Sequence, residues 1–368
     1  MSSWTSSSLR MAGVSLRKRL ALDITKKLQD DLIADHPLRQ LFWECTLRCN
    51  LACRHCGSDC RVQSLQKDMP LEDFCRVLDR VKEVYDSHKV MINVTGGEPL
   101  MRPDLERCGR AFYEREFPWG MVTNGLALTE RRYEALLGSG LHAMTISLDG
   151  LEEDHDWMRG RKGSFARASE AIGMVVRSDA IAFDVVTCVN RRNLPHLAEI
   201  KEHLIRLGVK EWRLFTVFPA GRATQDPELQ LDSAGLRSLM AFIRDTRKEG
   251  RIRCEYGCEG FLGPWEGEIR DRFFMCNAGV TVAGILADGS ISACPSIRAD
   301  YHQGNIYTDD FIEVWQKGYL PYRDRSWMKT GPCADCRYFR WCRGNGMHLR
   351  DSDGRLLACR LKEMESAI

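Results

Sequence analysis

The chain has 368 residues, of which 44% are hydrophobic and 28% are charged, and its 53 Lys and Arg residues nearly balance 51 Asp and Glu residues. Such a chain can bury a large core, which excludes collagen, a coiled coil and a disordered polypeptide. Its apolar runs are too short to span a membrane, and its balanced charge gives no indication of nucleic-acid binding.

A row of leucines predicts an amphipathic helix near the N-terminus, ending near Pro37. We expect residues 1–39 to form a tail and this helix, which docks on the main domain. Binding of its basic face to a membrane surface or to a lipoprotein is the alternative. The row consists of Leu16, Leu20, Ile24, Leu28 and Leu32.

Between residues 40 and 250, short apolar strands alternate with longer amphipathic segments, which predicts a parallel sheet covered by helices. Six such units are too few for a complete eight-fold barrel, so the expected fold class is α/β, a partial (β/α)6 TIM-like barrel. Functional residues are expected at the C-terminal ends of the strands. The predicted strands are 41–47, 90–95, 120–124, 143–148, 183–189 and 212–218, and the predicted helices include 71–86, 130–137, 165–176, 194–207 and 234–248.

Residues 251–368 lack this alternation and are rich in Cys, Gly and Arg, with short predicted strands at 280–287 and 290–293. A loop-rich segment of this size has little core of its own. We therefore expect a second domain that metal clusters stabilise.

The cysteine content is unusual, because five of the 16 cysteines fall within 45–60 and eight within 254–359. No secretory signal peptide is visible, so we expect a cytoplasmic protein. Clustered cysteines in such a protein are more often metal ligands than disulfides.

The first cluster places Cys49, Cys53 and Cys56 in a loop just after the first predicted strand. A structural zinc site has four protein ligands, whereas this tight spacing supplies three, with Cys45 and Cys60 beside them. A 4Fe–4S cluster held by three cysteines leaves one iron open to an external ligand. Such a site suits chemistry better than scaffolding.

This CxxxCxxC loop resembles that of the radical S-adenosylmethionine (SAM) superfamily. The resemblance implies that the three cysteines hold a 4Fe–4S cluster whose open iron binds SAM. It also implies reductive cleavage of SAM to a 5′-deoxyadenosyl radical, which abstracts hydrogen from a substrate.

Motifs at successive strand ends strengthen the resemblance and imply the remaining SAM-binding residues. A GGEP segment after the second strand resembles the one that binds the SAM amino group, and Arg159 resembles the arginine that helps Ser147 hold the SAM carboxylate. A solvated loop charge is the alternative for Arg159. The segment 218–223 resembles an element near the adenine. The residues implied are Gly96, Gly97, Glu98, Pro99, Thr123, Asn124, Ser147, Asp149 and Arg159.

The C-terminal cysteines resemble those of the SPASM extension, which carries auxiliary iron–sulfur clusters. Two positions depart from that pattern: Gly346 replaces an expected cysteine, and the first inner ligand is either Cys258, which we favour, or Cys254. The inner cluster therefore has an open iron, uses Cys254 as its fourth ligand, or is a smaller cluster. The resemblance assigns Cys333, Cys336, Cys342 and Cys359 to an outer cluster and Cys258, Cys276 and Cys294 to an inner one.

SPASM relatives mostly modify peptides or protein side chains, so the expected activity is oxidation or crosslinking of such a substrate. We expect a flavodoxin- or ferredoxin-type electron donor. A radical SAM enzyme acting on a small molecule or a tetrapyrrole is the alternative, and a non-catalytic iron–sulfur protein is a remote one. The whole-chain pattern also resembles radical SAM enzymes that are paired with a lipoprotein.

Overall fold

The computed structural model describes residues 14–58 and 60–365, and within these ranges it leaves the side chain of Gln225 undescribed. The tail expected before residue 14 lies outside the described residues. One ten-stranded sheet organises the described chain, in the order β10-β9-β8-β1-β2-β3-β4-β5-β6-β7. Its strands are β1 (Gln40–Glu44), β2 (Met91–Thr95), β3 (Trp119–Thr123), β4 (Leu141–Ser147), β5 (Ala182–Val189), β6 (Glu211–Thr216), β7 (Arg253–Tyr256), β8 (Val282–Ile285), β9 (Ser290–Ser292) and β10 (Gly304–Asn305).

Strands β1 to β7 are parallel, and β8 joins the same sheet parallel to β1. The predicted α/β fold class is confirmed. The helices are α1 (Leu16–Asp35), α2 (Leu71–Val84), α3 (Leu105–Glu114), α4 (Glu130–Gly138), α5 (Glu152–Arg159), α6 (Ser164–Ser178), α7 (Leu197–Leu207), α8 (Ser233–Glu249), α9 (Phe311–Lys317), α10 (Leu320–Arg323), α11 (Phe339–Cys342) and α12 (Arg360–Glu365).

The sheet continues beyond the expected domain boundary at residue 250. That position falls between α8 and β7, and β7 pairs with β6 as a seventh parallel strand. Strands β1 and β6 end at Glu44 and Thr216, earlier than predicted. The residues that follow them form loops at the C-terminal edge of the sheet.

Aromatic side chains fix the first helices against the sheet. Trp43 of β1 stacks on Phe74 of α2 with ring centroids 4.6 Å apart, and Phe112 of α3 packs edge-on against Trp43 and against Trp119 of β3. All four side chains are fully buried. Each contributes about 1.5–3 kcal/mol by leaving water, which holds the strand ends in a rigid frame.

Helix α1 docks on the C-terminal part of the chain, but not through its row of leucines. Its inner face buries Leu22 and Gln29, and the Gln29 side chain donates to the carbonyl oxygen of Phe274 at 3.1 Å. Asp23 accepts a hydrogen bond from the Trp341 indole at 2.7 Å. The side chains that remain 57–66% exposed are Leu16, Leu20, Ile24 and Leu28.

Within the part of the chain that the structure describes, no helix is both long and apolar enough to cross a membrane.

Candidate functional site

The loop that carries the first cysteines is held by the two glycines that follow β2. The backbone N–H of Gly97 donates to the carbonyl oxygen of Thr46 at 2.7 Å, and the backbone N–H of Glu98 donates to the carbonyl oxygen of Arg48 at 2.9 Å. A Cβ atom on Gly96 would lie 2.2 Å from the Thr46 oxygen, and one on Gly97 would lie 2.3 Å from the Arg48 oxygen. The glycines therefore permit close contact with the cysteine loop itself.

Glu98 joins the ends of β2 and β3. Its buried carboxylate accepts from the Leu100 N–H at 3.1 Å, from the Thr123 hydroxyl at 2.7 Å and from the Asn124 N–H at 2.8 Å. Burial raises the pKa of Glu98 despite these donors. A carboxylate offers about four acceptor positions, so one remains for a ligand.

The three cysteines of the loop lie close together and face one cavity of about 450 Å³. Burial, with a smaller contribution from the Cys53 and Cys56 thiols, raises the pKa of Cys49 to about 12. A hydrogen bond from the Cys60 thiol lowers the pKa of Cys56 to about 5. The conformation of the loop itself therefore brings the three thiols together.

Arg222, in the loop after β6, fastens the cysteine loop from its other side. Its Nε donates to the carbonyl oxygen of Cys53 at 2.8 Å, and its Nη1 donates to that of Cys60 at 3.3 Å. Its backbone N–H donates to the carbonyl oxygen of Cys56 at 3.1 Å. The segment 218–223 is predicted to lie near the adenine, and the contact of Arg222 with the cysteine loop was not expected from the sequence.

Arg159 is buried and is not the solvated loop charge considered as its alternative. Its Nη2 lies 2.7 Å from an Asp149 carboxylate oxygen, and its Nη1 donates to the Cys53 sulfur at 3.7 Å. Among the described residues, Arg159 Nε and His55 Nδ1 are buried without a hydrogen-bond partner. Unpaired buried polar atoms beside the thiols fit a site that binds a polar ligand.

Most of the predicted SAM-binding residues line this cavity, but two do not. Asp149 lies behind Arg159, and Pro99 begins a buried 3-10 turn after β2. The members that line the cavity are Gly96, Gly97, Glu98, Thr123, Asn124, Ser147 and Arg159.

A second group of cysteines borders the same cavity. Cys258 and Cys294 line it. Cys258 is exposed to the cavity, and desolvation by the surrounding protein raises its pKa to about 12, with smaller contributions from Cys294 and Cys276. Although burial acts to raise it, the pKa of Cys276 is lowered, because the Arg325 guanidinium and backbone N–H groups stabilise its thiolate.

Cys254 faces away from this group. It is in register with Trp212 of β6, and Trp212 packs edge-on against Phe242 of α8. Residues in register on neighbouring strands share a face of the sheet. Cys254 is therefore buried on the helix side and does not line the cavity.

The remaining four C-terminal cysteines surround a separate cavity of about 230 Å³. Burial, followed by the three neighbouring thiols, raises the pKa of Cys342. Arg350 donates to the Cys333 sulfur at 3.5 Å. The group consists of Cys333, Cys336, Cys342 and Cys359.

Within the described ranges, no three His, Cys, Asp or Glu side chains converge closely enough to hold one metal ion. A zinc ion would draw its thiolates together at about 2.3 Å from the metal. An iron–sulfur cluster is larger and keeps its thiolates further apart. The all-thiol donor sets therefore fit clusters better than single ions.

The inner wall of the barrel supplies residues that the sequence analysis missed. Apolar side chains of Phe42, Val122, Val186 and Phe215 line the cavity, together with Arg213. Arg213 is bonded to Asp184 and donates to the Thr145 hydroxyl at 3.2 Å. Side chains along a strand point alternately to its two faces, and this alternation groups the residues that share a face. It does not say which group faces the cavity, because that depends on how the strand is placed in the sheet.

Comparisons with known proteins agree with this geometry. The family model described as "Radical SAM superfamily" matches residues 43–204, and that described as "Iron-sulfur cluster-binding domain" matches 276–337. The chain is 27% identical over 320 residues to the AdoMet-dependent heme synthase of Nitratidesulfovibrio vulgaris, covering 82% of this chain and 85% of the relative.

The chain is also 30% identical over 281 residues to the PqqA peptide cyclase of Ruegeria pomeroyi, covering 75% of this chain and 73% of the relative. Among solved structures, it is similar to Streptococcus suis SuiB bound to S-adenosylmethionine. That match has a TM-score of 0.69 at 18% identity and covers 95% of this chain and 83% of SuiB. It supports the same fold.

Proposed function

Because the chain belongs to the radical SAM superfamily and carries a SPASM domain, we propose that it abstracts hydrogen from a peptide or protein side chain bound in the barrel cavity. It is a radical SAM enzyme, and its cofactors are SAM and 4Fe–4S clusters. When bound, these cofactors supply reductive cleavage of SAM to a 5′-deoxyadenosyl radical.

One observation carries the proposal: Cys49, Cys53 and Cys56 share a single cavity with Cys258 and Cys294. A substrate side chain in this cavity would lie between the two sets of cysteines. An electron released on oxidation of the substrate then has an acceptor site next to it. The proposed outcome is therefore oxidation, crosslinking or a related modification.

We assign the loop cysteines Cys49, Cys53 and Cys56 to the SAM-binding cluster. Ser147 and Arg159 would hold the SAM carboxylate, with Asp149 fixing the guanidinium. The strand-end segments would hold the rest of the methionine moiety, and they consist of Gly96, Gly97, Glu98, Pro99, Thr123 and Asn124.

The apolar inner wall formed by Phe42, Val122, Val186 and Phe215 favours a substrate that inserts an apolar or aromatic side chain. Similarity to the PqqA peptide cyclase supports a peptide. We also propose that a flavodoxin- or ferredoxin-type protein supplies the electron.

The test uses enzyme with reconstituted clusters, SAM, a strong reductant and candidate peptides carrying deuterated side chains, under anaerobic conditions. Transfer of deuterium into 5′-deoxyadenosine, measured by mass spectrometry, is the expected result. The Cys53→Ala variant is the control and should form no 5′-deoxyadenosine. Failure of every peptide to transfer deuterium would contradict the peptide proposal.

A tetrapyrrole substrate is the second candidate, because the heme synthase relative aligns over 85% of its own length. The same assay with a side-chain-deuterated porphyrin distinguishes the two. Deuterium transfer from the porphyrin and not from peptides would establish this alternative.

A further inference from the structure

Gly346 stands where the SPASM pattern has a cysteine, and the ring of His348 fills the space beside it. A Cβ atom on Gly346 would lie 2.7 Å from His348 Cε1 and 2.9 Å from Nδ1. Any side chain at 346 would therefore overlap the imidazole. The ring occupies the volume into which a cysteine at 346 would point.

His348 also lies beside the inner cysteines. The backbone N–H of its neighbour Met347 donates to the Cys276 sulfur. The His348 side chain lines the cavity that Cys258 and Cys294 line. The ring is held edge-on against Phe218, with centroids 5.4 Å apart.

The His348 imidazole is buried without a partner. The residue is 8% exposed, and no described residue donates to or accepts from either ring nitrogen. Buried polar side chains are nearly always paired in native proteins. An unpaired imidazole directed into the cavity is therefore free to bind a ligand.

We propose that His348 is the fourth ligand of the inner auxiliary cluster, beside Cys258, Cys276 and Cys294. The proposal rests on the assignment of these cysteines and deepens the proposed function. Imidazole replaces thiolate in some iron–sulfur proteins and raises the reduction potential. A fourth protein ligand would leave no open iron, so this cluster would accept electrons and would not bind substrate directly.

The test isolates the auxiliary clusters in a Cys49→Ala/Cys53→Ala/Cys56→Ala background and labels the protein with ¹⁵N-histidine. Pulsed EPR of the reduced protein should show a histidine nitrogen coupling that changes with the isotope and disappears in His348→Ala. His302→Ala, which removes an exposed histidine beside Asp300, is the control and should retain the coupling.

His348→Cys provides a second readout that does not depend on activity. This variant should keep the iron content of the background protein, lose the nitrogen coupling and shift the midpoint potential to a more negative value. If the background protein contains enough iron for two auxiliary clusters but shows no histidine coupling, the role of His348 is overturned and the cysteine assignment stands. If the protein contains enough iron for only one auxiliary cluster, the cysteine assignment is overturned, and this proposal with it.

The outer face of α1 presents an apolar row to solvent, because Leu16, Leu20, Ile24 and Leu28 are 57–66% exposed. Scattered exposed leucines are ordinary, but a continuous apolar row on one helix indicates an interaction surface. Rows with this four-residue spacing pack ridge-into-groove against each other in helix pairs.

Two opposite charges on this face lie at equal distances from Ile24. Arg17 lies seven residues before it and Asp31 seven residues after it, about 10 Å along the axis in each direction. Both side chains are exposed, and neither has an ion pair within the described part of the chain. An antiparallel second copy centred on Ile24 would place each Arg17 opposite an Asp31.

We infer that this face binds a second copy of the chain about a two-fold axis at Ile24. Such isologous contacts are the commonest in homodimers. A membrane is less suitable, because the exposed Arg17 and Lys27 are balanced by Asp31 and Asp35. The helix pair covers less than the roughly 800 Å² per partner of a standard interface, so the association should be weak.

The test measures the mass of the full-length holoenzyme by sedimentation over a range of concentrations. Wild type should dimerise, Arg17→Asp or Asp31→Arg should each raise the dissociation constant about tenfold, and the double reversal should restore it. A monomer at all concentrations, or a double variant that fails to recover, would overturn the inference. The membrane alternative predicts binding to anionic vesicles, which Arg17→Asp weakens and Asp31→Arg strengthens. That result would overturn the inference of a dimer.

Discussion

Arg222 Nε donates a hydrogen bond to the carbonyl oxygen of Cys53 at 2.8 Å and so connects the loop after β6 to the loop after β1. The two residues are 169 positions apart in the chain. A Cβ atom on the preceding Gly221 would lie 2.5 Å from the Cys56 oxygen. The two loops are thus in direct backbone contact, and the cysteine geometry depends on both.

Arg222→Ala should leave the carbonyl oxygens of Cys53 and Cys60 without the donors that Arg222 supplies, at a cost of about 1–3 kcal/mol each where they stay buried. We expect loss of iron from the SAM-binding cluster and at least a tenfold loss of SAM cleavage. Iron analysis and 5′-deoxyadenosine formation provide the measurement. Arg191→Ala removes an exposed arginine that donates to the Gln230 carbonyl, and this control should keep both.

Gly97→Ala should displace the cysteine loop, because its Cβ would lie 2.3 Å from the backbone oxygen of Arg48. We expect a loss of more than about 2 kcal/mol in the free energy of unfolding, together with lower iron retention. Gly138→Ala is the control, since nothing lies within 4 Å of its Cβ position. Equal stability of the two variants would show that the contact with Arg48 does not matter.

Cys258→Ala and Cys254→Ala should separate the two candidate inner ligands. The first removes a thiol from the cavity, and we expect it to lose the iron of one auxiliary cluster. The second removes a buried side chain from the helix side of β7, so it should keep its iron and lose about 1–2 kcal/mol of stability. The reverse pattern of iron contents would identify Cys254 as the ligand.

Arg159→Met should weaken SAM binding about tenfold and also destabilise the fold, because it leaves the buried Asp149 carboxylate without the arginine that pairs with it. The double variant Arg159→Met/Asp149→Asn should recover much of the stability and none of the affinity. Thermal unfolding and equilibrium binding of SAM measure the two effects. Recovery of SAM affinity in the double variant would contradict a direct contact of Arg159 with SAM.

The spacing of Cys49, Cys53 and Cys56, the strand-end motifs and the strand–helix alternation predicted the fold class and a shared site. These signals lie within short segments, where side-chain periodicity and loop length strongly restrict the conformations that the backbone can adopt. The residues at strand ends were predictable because parallel strands bring their carboxyl ends to one edge of the sheet.

Glu98 and α1 show what local patterns do not reveal. Glu98 stays a predicted partner of the SAM amino group, but only the structure shows that three of its acceptor positions are used by residues at the ends of β2 and β3. The leucines of α1 read as the buried face of an amphipathic helix, yet the helix buries Leu22 and Gln29. Polar contacts with Phe274 and Trp341 select that face, and they lie more than 200 residues away in the chain.

The sequence by itself determined that three cysteines form one loop site and that further cysteines form a C-terminal set, because these depend on local spacing. Only the tertiary structure decided that Cys258 faces the cavity while Cys254 faces α8, and that His348 takes the space beside Gly346. The physical reason is that strand direction and packing set the orientation of a side chain, and both depend on contacts between distant segments.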